Sequence, residues 1–153
     1  MKKLYVVGNK ASKSLSPTIF NYWFKKYNIK ASYGYLELTE KNFHKKIKEV
    51  LEKKDTLGLN VTIPFKKKII KHLGKIDAHA KKIGAVNCVT NKKTINGTNT
   101  DWTGYYKTLP NIKQTKNRKV IILGYGGASH AIHYVLKKRG FKDIYIFNRS
   151  KKK

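Results

Sequence analysis

Two rhythms of apolar residues alternate along the chain. Residues 4–7, 120–123 and 144–147 are apolar throughout, and 57–61 is largely so; runs this short, rich in Val, Ile and Leu, predict strands buried within a layered fold. Between the first two of these in chain order, Ile19, Phe20, Trp23, Phe24 and Tyr27 recur at helical spacing, as do Phe43, Ile47, Val50 and Leu51. Two amphipathic helices are therefore predicted. The first is expected to open at Ser16-Pro17, with serine as N-cap and proline at the first helical position, and to run to about Tyr27. Thr39 can cap the second. Tyr33, Tyr35 and residues 36–38 supply a further strand. Pro64 is expected to open a short helix reaching about Leu73, followed by short strands at 86–89 and 94–95 joined by a turn at 91–93.

Strands alternating with helices imply an α/β fold: a three-layer unit with a mainly parallel sheet. Residues 101–109 are predicted to form a connecting helix and 110–117 a polar linker. A second unit then starts with the strand 120–123, a glycine turn at 124–129, a helix at 128–136 and the strand 144–147. The expected division is 1–101, a connector at 102–117, and 118–153. A dinucleotide-binding domain has several strands, whereas 118–153 offers two, so this part is read as the beginning of one.

Composition changes this picture little. No apolar run is long enough to cross a bilayer, and the stretch after Met1-Lys2-Lys3 is too short for a secretory signal. The single cysteine, Cys88, excludes an internal disulfide framework and fits a reducing compartment, so a cytoplasmic location is expected. The net charge of +27 invites a nucleic-acid reading. Against it, only Arg118, Arg139 and Arg149 among the 35 basic residues are arginines, and the lysines are spread from Lys2 to Lys153. Steering of small anions is the reading preferred here.

Several polar clusters interrupt the apolar pattern. Gly124-Tyr125-Gly126-Gly127-Ala128-Ser129 lies between a predicted strand and a predicted helix, where glycines allow backbone amides to approach a pyrophosphate; as a plain tight turn it would look much the same. About twenty residues further on, Asn148-Arg149-Ser150 carries arginine where NAD-binding proteins have an acid. That choice suits the 2′-phosphate of NADP. Ser14 and Ser16 put two hydroxyls at the N-terminus of the first helix, either as an anion site or as a loop serine and a cap. Lys66, in Asn60-Val61-Thr62-Ile63-Pro64-Phe65-Lys66, is expected in the first turn of a helix, where a cation opposes the dipole. It is either a proton-exchanging lysine or part of the solvated run 66–68. Asn87 and Asp101 sit at strand ends, and Asp101 either caps a helix or pairs with a lysine. The histidines and Cys88 show no metal-ligand spacing.

Taken in order, Ser14-Leu15-Ser16-Pro17, Asn60 to Lys66, Gly84-Ala85-Val86-Asn87, Asn99-Thr100-Asp101, the glycine turn and Asn148-Arg149-Ser150 resemble the motifs of shikimate dehydrogenases, across essentially the whole chain. The resemblance implies NADPH-dependent reduction of 3-dehydroshikimate to shikimate in aromatic amino-acid biosynthesis. It implies a substrate domain followed by the first part of a Rossmann-like NADP-binding domain, and hence the N-terminal portion of a longer protein, monomeric or homodimeric. Ser14 and Ser16 would hold the substrate carboxylate and Thr62, Asn87 and Asp101 its ring hydroxyls, with Lys66 and Asp101 as the catalytic pair. Gly124, Gly126, Gly127, Ala128, Ser129, Asn148, Arg149 and Ser150 would bind NADP. Trp102, next to Asp101, departs from a position often held by glycine. A quinate/shikimate dehydrogenase and a non-catalytic shikimate-binding module are the alternatives.

Overall fold

The computed structural model describes residues 1–110 and 115–149. Strand β1 (Lys2–Gly8) is the centre of the first half, because its side chains alternate between two apolar faces. It pairs in parallel with β2 (Ala31–Glu37) on one side and β3 (Thr56–Val61) on the other. Beyond β3 lie β5 (Cys88–Asn91) and β6 (Ile95–Thr98), an antiparallel hairpin, and then the two-residue β4 (Lys75–Ile76), parallel to β6. The order is β2-β1-β3-β5-β6-β4, and β5 alone runs against the others. A mainly parallel sheet is thus borne out.

Helices cover both faces of this sheet. On one face, Leu4, Val6 and Tyr33 pack with Phe20 and Phe24 of α1 (Ser16–Lys26). On the other, Val7, Leu59, Val61 and Val89 meet Phe43, Ile47, Val50 and Leu51 of α2 (Phe43–Leu51), with Phe65 and Ile69 from the segment after β3, and Ala80 of α3 (Ala78–Ile83), completing the core. Phe43 and Phe65 are fully buried and stacked with centroids 4.2 Å apart. The heptad-like spacing in α2 therefore produces the stripe that seals the lower layer.

Several local expectations need correction. Ser16 is not the cap of α1: the cap position falls on Leu15, and Ser14 Oγ accepts the Ser16 N–H at 3.2 Å. The cap position of α2 falls on Asn42 and not on Thr39, whose reciprocal pair with Asn42 (its N–H donating to Asn42 Oδ1, its Oγ1 accepting the Asn42 N–H) closes the turn that leads into the helix. No α-helix opens at Pro64. The Ile63–Pro64 peptide is cis, residues 63–67 form turns, and a 3-10 segment covers Lys68–His72. The predicted strands at 86–89 and 94–95 lie about two residues further along. Strand β4 and α3, capped by Asp77 accepting from the His79 and Ala80 N–H groups, had no periodic pattern long enough to reveal them.

The second half begins after α4 (Asp101–Thr108). Of the expected linker, 111–114 lies outside the described residues, and Thr115–Asn117 makes a 3-10 turn. Strand β7 (Lys119–Leu123), α5 (Gly127–Lys138) and β8 (Asp143–Phe147) follow, with β7 and β8 paired in parallel as a β-α-β unit. Their core joins Ile122, Leu136 and Phe141 to Tyr105 and Leu109 of α4. Leu123 and Phe147 are 83% and 60% exposed, leaving one face of this small sheet uncovered among the described residues. No helix among the described residues is long and apolar enough to cross a membrane.

The layers carry a pH dependence. His44 Nδ1 of α2 lies 2.8 Å from His72 Nε2 at the end of the 3-10 segment, with the Phe43 ring edge-on to both. Burial, and then the His44 ring, push the His72 pKa down; burial and then Lys137 do the same to His133. Both histidines thus refuse protons that the unfolded chain accepts below its ordinary value of about 6.5, so stability falls as pH drops through that range. The urea midpoint is expected to decline from pH 7 to pH 5, with His72→Gln and His133→Gln each removing part of the slope. A midpoint constant over that interval would contradict this account.

Candidate active site

The C-terminal ends of β1 and β3 and the start of β5 open onto a cleft of about 480 Å³. Strand polarity explains its polar lining: the last residues of each strand leave the apolar layers and present side chains outward. Ser14, Ser16, Asn60, Thr62 and Asn87 face it, with Lys10 and Lys13 at its rim. Ser14 Oγ lies 3.1 Å from Ser16 Oγ, beside the first amides of α1. Two hydroxyls, a helix N-terminus and two lysines suit a carboxylate-sized anion at this corner.

Beside the cleft, behind Asn87, Asp101 gathers a second polar cluster. Its Oδ2 accepts from Lys66 Nζ at 2.7 Å, and its Oδ1 accepts from Asn87 Nδ2 at 2.8 Å. The second hydrogen of that amide goes to Thr100 Oγ1 at 2.9 Å, while Asn87 Oδ1 accepts the Thr100 N–H at 2.8 Å. The Asn87 amide plane is therefore fixed on both sides. The Lys66 side chain is 14% exposed and that of Asp101 30%, so the pair is sheltered, and it adjoins the cleft through Asn87, which lines it. Lys66 is held in a turn, and not in the first turn of a helix; its carbonyl accepts the Val86 N–H at 2.8 Å, tying it to the segment before β5 that carries Asn87. A sheltered ammonium fixed by one carboxylate is built to stabilise or protonate an oxygen arriving beside it.

Sequence reasoning missed three contributors. Asn99 is buried and works as a staple, donating to Ala85 O and accepting the N–H groups of Asp101 and Trp102 on its Oδ1. Asn60 accepts from Tyr33 Oη at 2.7 Å, which directs its Nδ2 donors toward the cleft. Burial, then the nearby Cys88 thiol, push the Tyr33 pKa up to about 12 against an opposing hydrogen bond with Ser16, so the phenol stays a donor. The signal for Asn60 was available: Asn60 and Thr62 are two residues apart on a strand, hence on one face.

The glycine turn sits next to this site. Gly124 adopts φ 95°, its N–H donates to Phe147 O at 2.7 Å, and Gly127 begins α5. Gly124, Gly126, Gly127, Ala128 and Ser129 line a second cleft of about 440 Å³, shared with Ile63. Consecutive residues Thr62 and Ile63 thus face different clefts, and the strand-end segment that carries them is a common wall. Parallel pairing of Leu123 with Phe147 sends Asn148 and Arg149 out alongside Gly124; Ser150 lies outside the described residues. Ser129 Oγ donates back to Gly126 O at 2.7 Å, closing the first turn of α5. Tyr125 lies against the His130 ring and beneath the Lys67 ammonium. Among the described residues, no three His, Cys, Asp or Glu side chains group to hold a metal ion.

Comparison with known proteins agrees with this geometry. Residues 6–89 match the family model of the shikimate dehydrogenase substrate binding domain. Shikimate dehydrogenase (NADP(+)) of Pelagibacter ubique is 40% identical over an alignment covering 100% of this chain and 58% of the relative. The crystal structure of shikimate dehydrogenase from Aquifex aeolicus superposes with a TM-score of 0.85 at 34% identity, over 99% of this chain and 57% of that one. That of the Thermus thermophilus enzyme, solved in complex with NADP(H) and shikimate, does so at 0.79 and 28%, over 98% and 57%. The chain spans little more than half the length of these relatives. With more than half of its residues inside the family model and the same fold throughout, the chain belongs to the shikimate dehydrogenase family.

Proposed function

We propose that this chain carries the substrate half and the opening of the cofactor half of an NADP-dependent shikimate dehydrogenase, which interconverts 3-dehydroshikimate and shikimate. The observation that carries this reading is the shared wall: a polar cleft, lined by the Asn87 that bonds the fixed Lys66–Asp101 pair beside it, lies back to back with a glycine turn at a helix N-terminus. Substrate oxygen and cofactor would then approach the same segment, 62–66.

Ser14 and Ser16 would hold the substrate carboxylate, with Lys10 and Lys13 adding attraction. Thr62, Asn87 and Asp101 would take the ring hydroxyls, and Asn60 joins them from its place in the cleft. NADPH, when bound, supplies the hydride. As the substrate carbonyl oxygen gains negative charge, the Lys66 ammonium stabilises it and gives it a proton; in the reverse direction Lys66 accepts the proton from the alcohol. Asp101, already bound to Lys66 Nζ, holds that ammonium on the oxygen.

The residues present fit an NADP molecule. A Cβ at Gly126 would meet nothing within 4 Å, so the turn leaves room above the first amides of α5. Arg149 is exposed just beyond β8, and no acid stands at 148 or 149 to favour a bare ribose. Gly124, Gly126, Gly127, Ala128 and Ser129 would hold the pyrophosphate, and Asn148, Arg149 and Ser150 the 2′-phosphate. The expected division into a substrate unit at 1–101, a connector at 102–117 and a cofactor unit from 118 is retained on the same grounds.

Calorimetric titration of the folded chain with shikimate is expected to give saturable binding, weakened about tenfold or more when Ser14 and Ser16 are both alanine. No heat of binding from a chain that is folded by circular dichroism would sink the substrate assignment. In assays of shikimate oxidation by NADP+, Lys66→Ala is expected to lower kcat by about 10²–10⁴ while KM moves far less; an unchanged kcat removes Lys66 from the chemistry. Arg149→Ala should weaken NADP+ binding about tenfold and leave NAD+ binding as it was. Equal effects on the two cofactors would reassign the 2′-phosphate contact.

A further inference from the structure

Three glycines enter α5, and each answers a different requirement. Gly124 adopts φ 95°, a conformation that side chains other than glycine rarely take. Gly126 has extended backbone and open space where a Cβ would stand, which is room for a ligand. Gly127 has neither feature. A Cβ there would lie 2.9 Å from Lys66 Cβ and 3.1 Å from Lys66 Cδ, closer than packed carbons come. The dinucleotide-binding pattern places glycine at the first, third and sixth positions of such a turn, here Gly124, Gly126 and, as a departure, Ser129. Gly127 is the fourth, and its close approach to Lys66 is a requirement separate from any contact with the cofactor.

We propose that Gly127 is a positioning residue for Lys66: the bare backbone at the start of α5 is the surface along which the lysine stem is laid so that its ammonium reaches Asp101. A lysine has a long stem with many rotamers, and a fixed tip requires that stem to be confined. Lys66 is held at three levels. Its carbonyl accepts the Val86 N–H, its stem rests on Gly127, and its Nζ donates to Asp101 Oδ2. The start of α5 has nowhere to retreat, since Ala131 and Val135 behind it are buried and Ala131 packs against Ile83 and Ala85. A second contact keeps the turns in register, because Lys67 Nζ lies 5.4 Å from the Tyr125 ring centroid. The consequence is mechanical. The element that presents amides to a cofactor and the side chain that meets the substrate oxygen are set by one contact, so misplacing either misplaces both. The functional weight of this contact rests on the reading of Lys66 as the group facing the substrate oxygen; the contact itself does not.

The test is a double-mutant cycle on the full chain with Gly127→Ala and Lys66→Ala, read by urea unfolding and by shikimate titration. Alanine is a better helix former than glycine, so at the first position of α5 it should raise the urea midpoint wherever no lysine stem opposes it. The expected result is that Gly127→Ala lowers the midpoint in the wild-type background and keeps or raises it in the Lys66→Ala background. Shikimate Kd is expected to rise about tenfold on Gly127→Ala with Lys66 present and by less than about twofold without it. A role confined to helix stability would shift both backgrounds equally. An equal shift, or none in either background, overturns the proposal. If the wild-type chain binds no shikimate the substrate reading fails, and the midpoints alone still decide whether Gly127 and Lys66 are coupled.

Discussion

A carboxylate that is mostly withdrawn from water must have both oxygens satisfied, and Asp101 meets that demand with partners from two other segments. Lys66 comes from the turn after β3 and Asn87 from the approach to β5, while Asp101 itself opens α4. Each partner is in turn committed elsewhere: the Lys66 carbonyl to Val86, the Asn87 amide to Thr100, the Asp101 N–H to Asn99. Because Asn99 also holds Ala85 O, the loop before β5 and the start of α4 move as one piece. Removing the carboxylate would leave a sheltered ammonium and an amide donor unpaired. The site is therefore a closed set of obligations, and the fold around it follows from having to meet them together.

Helix α4 shows how the constraint reaches the second half. Its first residue is Asp101, and four and eight residues later Tyr105 and Leu109 pack into the core of the β7-α5-β8 unit. Trp102, next to Asp101, stacks on His79 of α3 at 4.3 Å and meets Tyr134 of α5 edge-on, while His79 Nδ1 and the Tyr134 hydroxyl lie 2.7 Å apart. Arg139 closes the far end by donating to Tyr106 O and lying over its ring. A large indole beside the Asp101 turn thus fills the junction of three helices. The angle between the two sheets is fixed by aromatic packing at one end of α4 and by a guanidinium at the other.

The sequence was readable where side-chain periodicity is the cause of structure. The stripe Phe43, Ile47, Val50, Leu51 had to become a buried helix face, and 120–123 had to become an inner strand, because nothing else covers those residues. It failed where the cause is a backbone relation. Pro64 resembles a helix opener, yet residues 63–67 turn so that Lys66 O can take the Val86 N–H, a partner twenty residues away that no local pattern reveals. Ser16 resembles a cap, but Ser14 takes its N–H. Asn60 was passed over because it lies inside an otherwise apolar strand; its role depends on Tyr33, brought alongside by pairing of β1 with both β2 and β3. Residue types could nominate Lys66, Asn87 and Asp101 as candidates. Only the crossing of three strand ends brings them within hydrogen-bond reach.

The same geometry explains how a chain of net charge +27 keeps one anionic group beside its cleft. There are eight acidic residues. Asp55, Glu49, Glu52 and Glu40 pair with Lys3, Lys46, Lys48 and Lys68 on exposed surfaces, Asp77 caps α3, Glu37 accepts from Ser12, and Asp143 opens β8 at the surface. Exposed pairs of this kind contribute little and are weakened by salt. Asp101 differs in being sheltered, with a single lysine aligned on one oxygen and a neutral amide on the other, so solvent screens that contact least. The surplus lysines act at longer range. On the proposed function, Lys10 and Lys13 at the cleft rim would raise the local concentration of an anionic substrate, whereas orientation would come from neutral donors, Ser14, Ser16, Asn60 and Asn87. Long-range charge would then gather the ligand and short hydrogen bonds align it, and the large excess of lysine leaves the second task untouched.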